Sequence, residues 1–210
     1  MNYQEQRTAV AEFMRRLYCQ GLTTTSGGNI SMRVDDERVL LTASKFDKAE
    51  LQAEHVGILT LDGDNLTPDL SPSIESGMHL SIYRARQDVR AIVHAHPLTA
   101  TAFCATGKHI NTHLLDESYA ILGDPVVADY ACMGTPDLAA NVAEAIADGT
   151  ACVMMRNHGV LAVGATLLEA FDRLEVLERA AQTTMVVNQI GDVRELSKEH
   201  LGALDKMMGR

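Results

Sequence analysis

Two histidines stand two residues apart in the short apolar segment IVHAHP, as His94 and His96. Alternate side chains of a β-strand share a face, so a strand here would point both imidazoles in one direction. A third histidine, His158, lies in RNHGV, where polar residues and a glycine interrupt an apolar stretch. Three histidines with an open fourth position are a common ligand set for a catalytic zinc ion. The HAH pair alone is more typical of exposed or hydrogen-bonded structural histidines, and both interpretations stay open at this point.

Two further segments carry groups that could take part in chemistry. Glu75 follows SPSI near the start of a predicted helix, where a carboxylate is usually a surface residue favoured by the helix dipole. It becomes a candidate general acid/base or auxiliary ligand if it faces a metal ion. The segment TSGGNIS, residues 25–31, is a glycine-rich turn whose small residues allow backbone N–H groups to approach an anion. It matches neither the P-loop nor the dinucleotide fingerprint, and a simple turn is the alternative.

The elements that must position these residues alternate between helical and strand periodicity, which predicts a layered α/β domain. Helices are predicted over residues 3–19, from Pro72 (capped by Ser71) to Ala85, from Pro97 through Phe103, over TPDLAANVAEAIADG, and along a final long segment that Thr166 and Glu169 cap. Strands are predicted in GNISMRV, RVLLTA, GILTL, DNLTP, VRAIVHAH, ACVMMRN and GVLAVG. We find no repeat and no flexible linker, so residues 1–210 are expected to form a single domain.

Composition narrows the classes of function. The formal net charge is −10 for 210 residues, which argues against a general surface for nucleic acid or anionic membranes. No run approaches the roughly 18 apolar residues of a membrane helix. The cysteines are scattered without a C-x-x-C motif, and the amino terminus is polar and unlike a signal peptide. A cytoplasmic protein with reduced thiols is the expectation.

Five segments, taken together and in this order, resemble the class II aldolase family, which includes fuculose-phosphate aldolases, ribulose-phosphate 4-epimerases and the adducin head domain. They are SGGNIS at 26–31, LLTAS at 40–44, PSIE at 72–75, HAH at 94–96 and NHG at 157–159. The resemblance implies a three-layer αβα sandwich around a central, largely antiparallel sheet. It also implies a homotetramer with active sites between neighbouring subunits.

The resemblance further implies the chemistry and the residues that carry it out. The implied reaction is the reversible cleavage of a phosphorylated ketose, a sugar 1-phosphate, to dihydroxyacetone phosphate and an aldehyde through a metal-stabilised enediolate. A divalent ion, usually Zn²⁺ with Mn²⁺ or Co²⁺ as alternatives, is implied at the three histidines, and Glu75 is implied as the acid/base. The positions that match the family's phosphate-binding residues are Gly28, Asn29, Ser44 and Ser73.

The sequence departs from the family pattern at the phosphate site and near its end. Lys45 stands where a glycine is usual, and Ile74 replaces a serine that contacts phosphate in fuculose-phosphate aldolases. Two roles for Lys45 are open: it restores the lost phosphate contact as a point charge, or it recognises a different anion. No tyrosine follows Tyr130, so the catalytic tyrosine near the carboxyl terminus of those aldolases and of the epimerases has no counterpart.

These departures keep other reactions open. A dehydratase or a decarboxylase of a phosphorylated sugar or sugar acid is the second hypothesis, and a 4-epimerase is the third. A binding module like the adducin head, which does not keep the metal site, is the alternative of a different class. A second acid/base is expected among Asp116, Glu117 and Tyr119, without a choice between them.

Overall fold

The computed structural model describes residues 2–210. Its strands are β1 (Asn29–Arg33), β2 (Arg38–Thr42), β3 (Val56–Thr60), β4 (Ala91–Ala95), β5 (Val126–Ala128), β6 (Cys152–Met155) and β7 (Gly159–Gly164). They form one seven-stranded sheet in the order β3-β2-β1-β4-β7-β6-β5. Neighbouring strands run antiparallel, except for the short edge strand β5, which lies parallel to β6.

Helices cover both faces of this sheet. They are α1 (Gln4–Cys19), α2 (Ser76–Ala85), α3 (Leu98–Cys104), α4 (Asp116–Leu122), α5 (Pro136–Ala145), α6 (Leu167–Ile190) and α7 (Lys198–Met208). One buried cluster joins α1, α3 and α6 to alternate residues of the central strands, such as Val93 and Ala95 of β4. The other cluster packs α2 and α5 against the opposite face, where Ile92 lies. The predicted three-layer αβα sandwich with a largely antiparallel sheet is confirmed.

The strand alternation decides which layer His94 joins. Because His94 follows Ile92 by two residues, it points to the face that carries α2 and α5. The chain continues past the end of β4 with His96 and then enters α3 at Leu98. The two histidines therefore lie at the carboxyl end of a central strand, next to the start of α2.

Most predicted elements are confirmed, and two are corrected. The helix predicted from Pro72 begins only at Ser76, because residues 71 and 72 are held next to the end of β2. There the backbone N–H of Ser44 donates to the carbonyl oxygen of Ser71, and the Ser44 hydroxyl donates to the carbonyl oxygen of Pro72. The strand predicted in DNLTP is reduced to a single bridge between Asn65 and Leu59. The structure adds α4, β5 and α7, which the sequence patterns do not predict. Within residues 2–210, no helix is long and apolar enough to cross a membrane.

Candidate metal centre and active site

The ring of His94 is fixed by the strand beside it. Its Nδ1 lies 2.9 Å from the backbone carbonyl oxygen of Val160, on the neighbouring strand β7. A carbonyl oxygen only accepts, so Nδ1 carries a proton, and in its neutral form the ring presents the lone pair of Nε2 on its other side. A backbone carbonyl that holds one ring nitrogen in this way is typical of metal-binding histidines.

A tight turn between β6 and β7 brings His158 to the same place. Asn157 adopts a left-handed conformation with φ +53°, which asparagine tolerates better than most residues. Gly159 follows at a point where a Cβ atom would lie 2.3 Å from His96 Cδ2 and 2.8 Å from the carbonyl oxygen of Ala95. The NHG motif therefore supplies a turn, a candidate ligand and the space that the neighbouring His96 ring requires.

The nitrogen atoms of the three histidines converge on one point. Candidate ligand atoms of His94, His96 and His158 all lie within 4.8 Å of one another. The Nε2 atoms of His94 and His96 are 3.2 Å apart, close to the roughly 3.3 Å expected between two imidazole ligands of a tetrahedral zinc ion.

Glu75 joins this cluster from the residue that precedes α2. Its Oε2 is 3.2 Å from His94 Nε2, and its Oε1 is 2.9 Å from His158 Nε2. Oε1 is buried, and among the described residues no group meets it with hydrogen-bond geometry. Buried oxygen atoms are rarely left in this state, and a cation among these nitrogen atoms would satisfy it. Three imidazoles and one carboxylate also form a donor set that suits zinc, so the residues fit a divalent metal.

Electrostatics keep Glu75 ionised and His96 neutral. Burial raises the pKa of Glu75, but His94, His158 and Asn29 outweigh burial and hold that pKa well below its ordinary value. Burial and the neighbouring histidines lower the pKa of His96 to about 4. An ionised carboxylate and a neutral imidazole are the forms that bind a metal ion.

A chain of buried polar groups lies behind Glu75. Asn29 Nδ2 donates to Glu75 Oε2 at 2.8 Å and to Ser73 Oγ at 3.1 Å. Asn29 Oδ1 lies 2.6 Å from His79 Nε2, and His79 Nδ1 lies 2.6 Å from Ser31 Oγ. No motif of the sequence marks His79, whereas the structure buries it one contact behind the candidate acid/base.

A cavity of about 370 Å³ opens next to the cluster. It brings together the five predicted phosphate-binding positions, the carboxylate of Glu75 and two of the histidines. Its lining includes Gly28, Asn29, Ser44, Lys45, Ser73, Glu75, His96 and His158.

The predicted phosphate-binding residues differ in whether they have a free hydrogen-bond donor for a ligand in this cavity. Gly28 has φ +67°, and a Cβ there would lie 2.7 Å from the carbonyl oxygen of His94, so only glycine fits. Ser73 Oγ accepts from Asn29 Nδ2 and from the backbone of Glu75, and neither bond uses its hydroxyl hydrogen. Ser44 donates both its N–H and its O–H to residues 71 and 72. Ser44 therefore tethers the loop, and its hydroxyl would have to rotate to donate to a phosphate.

The two residues that depart from the family pattern lie at the rim. Lys45 is exposed and adopts φ +69°, a left-handed conformation that explains why a glycine is usual there. Ile74 is 62% exposed and packs over Gly134, which follows α4 and β5 in the chain. Lys48 also lines this cavity and is buried, and no motif of the sequence marks it.

The candidates for a second acid/base do not lie in this cavity. Asp116, Glu117 and Tyr119 belong to α4, and none of them is among the cavity's lining residues within the part of the chain that the structure describes. The Tyr119 hydroxyl donates to Asp205 of α7 at 3.1 Å. Within one chain, therefore, the structure does not bring these residues to the histidine cluster.

Residues 8–185 match the family described as "Class II Aldolase and Adducin N-terminal domain". The chain belongs to the class II aldolase family. The histidine cluster is consistent with the divalent metal that class II aldolases use.

Relatives in this family catalyse more than one reaction. The chain is 31% identical over 208 residues to the 5-deoxy-D-ribulose 1-phosphate aldolase of Bacillus thuringiensis serovar kurstaki, covering 98% of this chain and 96% of the relative. It is 32% identical to the 3-oxo-tetronate 4-phosphate decarboxylase of Haemophilus influenzae, covering 84% of this chain and 85% of the relative. The solved structure of an L-fuculose 1-phosphate aldolase superposes with a TM-score of 0.86 at 28% identity, covering 97% of this chain and 96% of that one. This class II aldolase family member thus resembles enzymes that act on sugar phosphates.

Proposed function

We propose that this protein is a divalent-metal-dependent aldolase that cleaves a ketose 1-phosphate reversibly to dihydroxyacetone phosphate and an aldehyde. The observation that carries the proposal is the position of the histidine–Glu75 cluster at the wall of a cavity that also holds Gly28, Asn29 and Ser73. The candidate phosphate-binding residues and the candidate proton-transfer residue line one cavity, which supports this proposal.

Glu75 would move the proton in this reaction. Cleavage transfers one proton from the hydroxyl of the departing aldehyde to the carbon of the other fragment. Glu75 is a buried, ionised carboxylate held by Asn29, so it can take up the proton that the hydroxyl releases and pass it to that carbon, and it can do the reverse in the synthesis direction. The bound phosphate would act as a remote handle that positions the reacting atoms.

His94, His96 and His158 would hold the divalent ion. When bound, such an ion acts as a Lewis acid that stabilises negative charge developing on a substrate oxygen. We propose Zn²⁺ as that ion, with Mn²⁺ and Co²⁺ as alternatives, because three imidazoles and an open position suit zinc.

A decarboxylase of a phosphorylated oxo-acid is the second candidate function. It is favoured by the similarity to the H. influenzae decarboxylase and by the lack of any tyrosine after Tyr130, where fuculose-phosphate aldolases and the epimerases place one. A dehydratase and a 4-epimerase use the same histidines and carboxylate and rank behind it. We further propose a single domain over residues 1–210, a homotetramer and a cytoplasmic location, without nucleic-acid or membrane partners.

A screen of phosphorylated ketoses tests the leading function, with release of dihydroxyacetone phosphate as the readout. Release of CO₂ from phosphorylated oxo-acids is measured in parallel and would favour the second candidate. Metal analysis of the purified protein tests the alternative of a binding module, which predicts no bound metal. Stoichiometric metal together with release of dihydroxyacetone phosphate is the expected result.

A further inference from the structure

Lys48 is a lysine that the fold buries without a carboxylate partner. It is only 3% exposed, and its Nζ donates to the carbonyl oxygen of Ala43 at 3.3 Å. Among residues 2–210, no carboxylate lies within 4.0 Å of Nζ. Burial lowers the pKa of this amine below its ordinary value. Fully buried lysines are rare unless they are paired, because a desolvated charge is costly.

The surroundings of Lys48 suggest what could pair with it. Its backbone N–H donates to the carbonyl oxygen of Thr25 at 3.1 Å, which joins the loop after β2 to the glycine-rich segment. Lys48 lines the same cavity as Gly28 and Ser73. An ammonium group has three donors, and only one is used in the bond to Ala43. Two ammonium hydrogens and the hydroxyl hydrogen of Ser73 thus remain for a ligand in one cavity.

We propose that Lys48 is the buried cation that binds the phosphate group of the substrate. The assignment rests on the proposed function only in requiring that the substrate is a phosphate ester. The family positions Gly28, Asn29, Ser44 and Ser73 are all uncharged, and Ser44 and Asn29 already spend their donors on protein partners. A phosphate monoester carries close to two negative charges at neutral pH, so a positive charge among these groups has a clear physical role.

Burial makes Lys48 a stronger partner than Lys45 for this purpose. An exposed ion pair is screened by water and contributes little. A pair inside a cavity has a lower effective dielectric constant, and its charge-assisted hydrogen bonds are about twice as strong as neutral ones. Lys45 is exposed at the rim, whereas Lys48 lies inside.

The test uses the metal-loaded protein and inorganic phosphate as the probe. Lys48→Met removes the charge and nearly keeps the shape, and Lys48→Gln keeps a polar group. Lys108→Met removes an exposed lysine elsewhere and serves as the matched control. Calorimetric titration should show phosphate binding weakened roughly ten- to a hundredfold by Lys48→Met and unchanged by Lys108→Met. KM for a phosphorylated ketose should rise by a similar factor, with a smaller change in kcat.

A purely structural role predicts a different pattern. If Lys48 only ties the loop to Ala43, Lys48→Met should lower the melting temperature and leave phosphate affinity intact, which would overturn the proposal. We expect instead that the variant melts at the same or a higher temperature without phosphate, because an unpaired buried charge is removed. Should Lys48→Met not fold, Lys48→Gln is measured in the same way. In wild-type protein, the NMR signals of the Lys48 side chain must also shift on addition of phosphate.

Two further outcomes separate this inference from the proposed reaction. If no ketose phosphate is cleaved but phosphate binding depends on Lys48, the reaction is wrong and the phosphate site stands. If cleavage occurs and Lys48→Met binds phosphate like wild type, the reaction stands and the Lys48 assignment fails. Acetate is titrated as a second probe, and binding as tight as that of phosphate with the same dependence on Lys48 would overturn a phosphate site.

Discussion

His79 Nε2 lies 2.6 Å from Asn29 Oδ1, and this contact fixes which end of the Asn29 amide faces Glu75. Because Asn29 Nδ2 donates to Glu75, the amide oxygen must accept, and His79 must carry its proton on Nε2. His79 Nδ1 then accepts from the Ser31 hydroxyl, whose oxygen accepts from the hydroxyl of Tyr83 at 2.9 Å. One set of proton positions satisfies every hydrogen bond in this series, from buried Tyr83 to the candidate acid/base Glu75.

The first prediction concerns the tautomer of His79. Ser31→Ala removes the donor to Nδ1, which is one of the two contacts that keep the proton on Nε2; the other, to Asn29 Oδ1, remains. We expect turnover to fall roughly ten- to a hundredfold, as is typical when groups behind a metal site are changed, with little change in KM. Nitrogen NMR should show the Nε2–H form in wild type and a mixture of tautomers in the variant. Unchanged turnover together with an unchanged tautomer would contradict the positioning role.

The second prediction is a pH dependence of stability. Burial lowers the pKa of His79 from its ordinary 6.5 to about 3. Below about pH 6.5 the unfolded chain binds a proton that the folded chain does not, so the free energy of unfolding falls as the pH falls. The expected contribution is about 1.4 kcal/mol per pH unit until the pH nears 3. Urea unfolding of the metal-free protein at pH 7, 6 and 5 should show a shallower decline for His79→Gln than for wild type. Equal slopes would show that His79 is protonated in the folded chain.

The third prediction tests the metal ligands. In the wild-type protein the carbonyl oxygen of Val160 orients the His94 ring toward the cluster. His94→Ala removes this candidate nitrogen ligand, one of three. Purified His94→Ala should therefore contain far less metal than wild type and should lose activity. His109→Ala, an exposed histidine elsewhere, is the control and should keep both. A His94→Ala protein with stoichiometric metal and full activity would mean that the site is misassigned.

The sequence predicts the residues of the cluster better than the distances between them. HAH at the end of a strand and NHG in a turn are local patterns. The order of these motifs resembles that of the class II aldolases, and this resemblance assigned His94, His158 and Glu75 to one site. Lys45 and Lys48 are three residues apart in one loop, and no local pattern distinguishes the exposed from the buried one. Lys48 contacts the glycine-rich segment, which is distant in the chain, through the bond from its backbone N–H to Thr25.

Tertiary contacts also explain the other differences. Pro72 after Ser71 is a good local signal for a helix start, yet Ser44 holds this segment at the sheet and the helix begins four residues later. His79 has a helical setting in sequence, and only the packing of α2 against β1 gives it Asn29 and Ser31 as partners. Local propensity depends on residues that are adjacent in the sequence, whereas these roles depend on residues that are adjacent only in the folded structure.

The fourth prediction concerns Glu75. Glu75→Gln keeps the shape of the side chain and removes its basicity, so turnover should fall by about 10²–10⁴-fold. The melting temperature and the metal content should change much less, since three histidines remain. A loss of turnover below about threefold would reduce Glu75 to a structural carboxylate at the helix start. Metal analysis of the same sample separates a lost proton transfer from a lost metal ion.

The last prediction separates the effect of the Lys45 backbone conformation on stability from the effect of its side-chain charge on substrate binding. Lys45 adopts φ +69°, a conformation that costs an L-residue roughly 1–2 kcal/mol. Glycine adopts it without that cost. Part of the resulting gain in stability is lost, because glycine also makes the unfolded chain more flexible. We therefore expect Lys45→Gly to raise the free energy of unfolding by about 0.5–1 kcal/mol, and Lys45→Met to leave it nearly unchanged.

Both Lys45 variants remove the charge, so their effect on KM reports the side chain alone. An exposed ion pair contributes about 0–1 kcal/mol, so KM for the phosphorylated substrate should rise by at most about fivefold in each. Urea unfolding and steady-state kinetics of the two proteins measure the two effects separately. If Lys45→Met raises KM more than about tenfold while Lys48→Met does not, Lys45 is the cation that holds the phosphate, because a well-ordered contact at the rim would then outweigh burial.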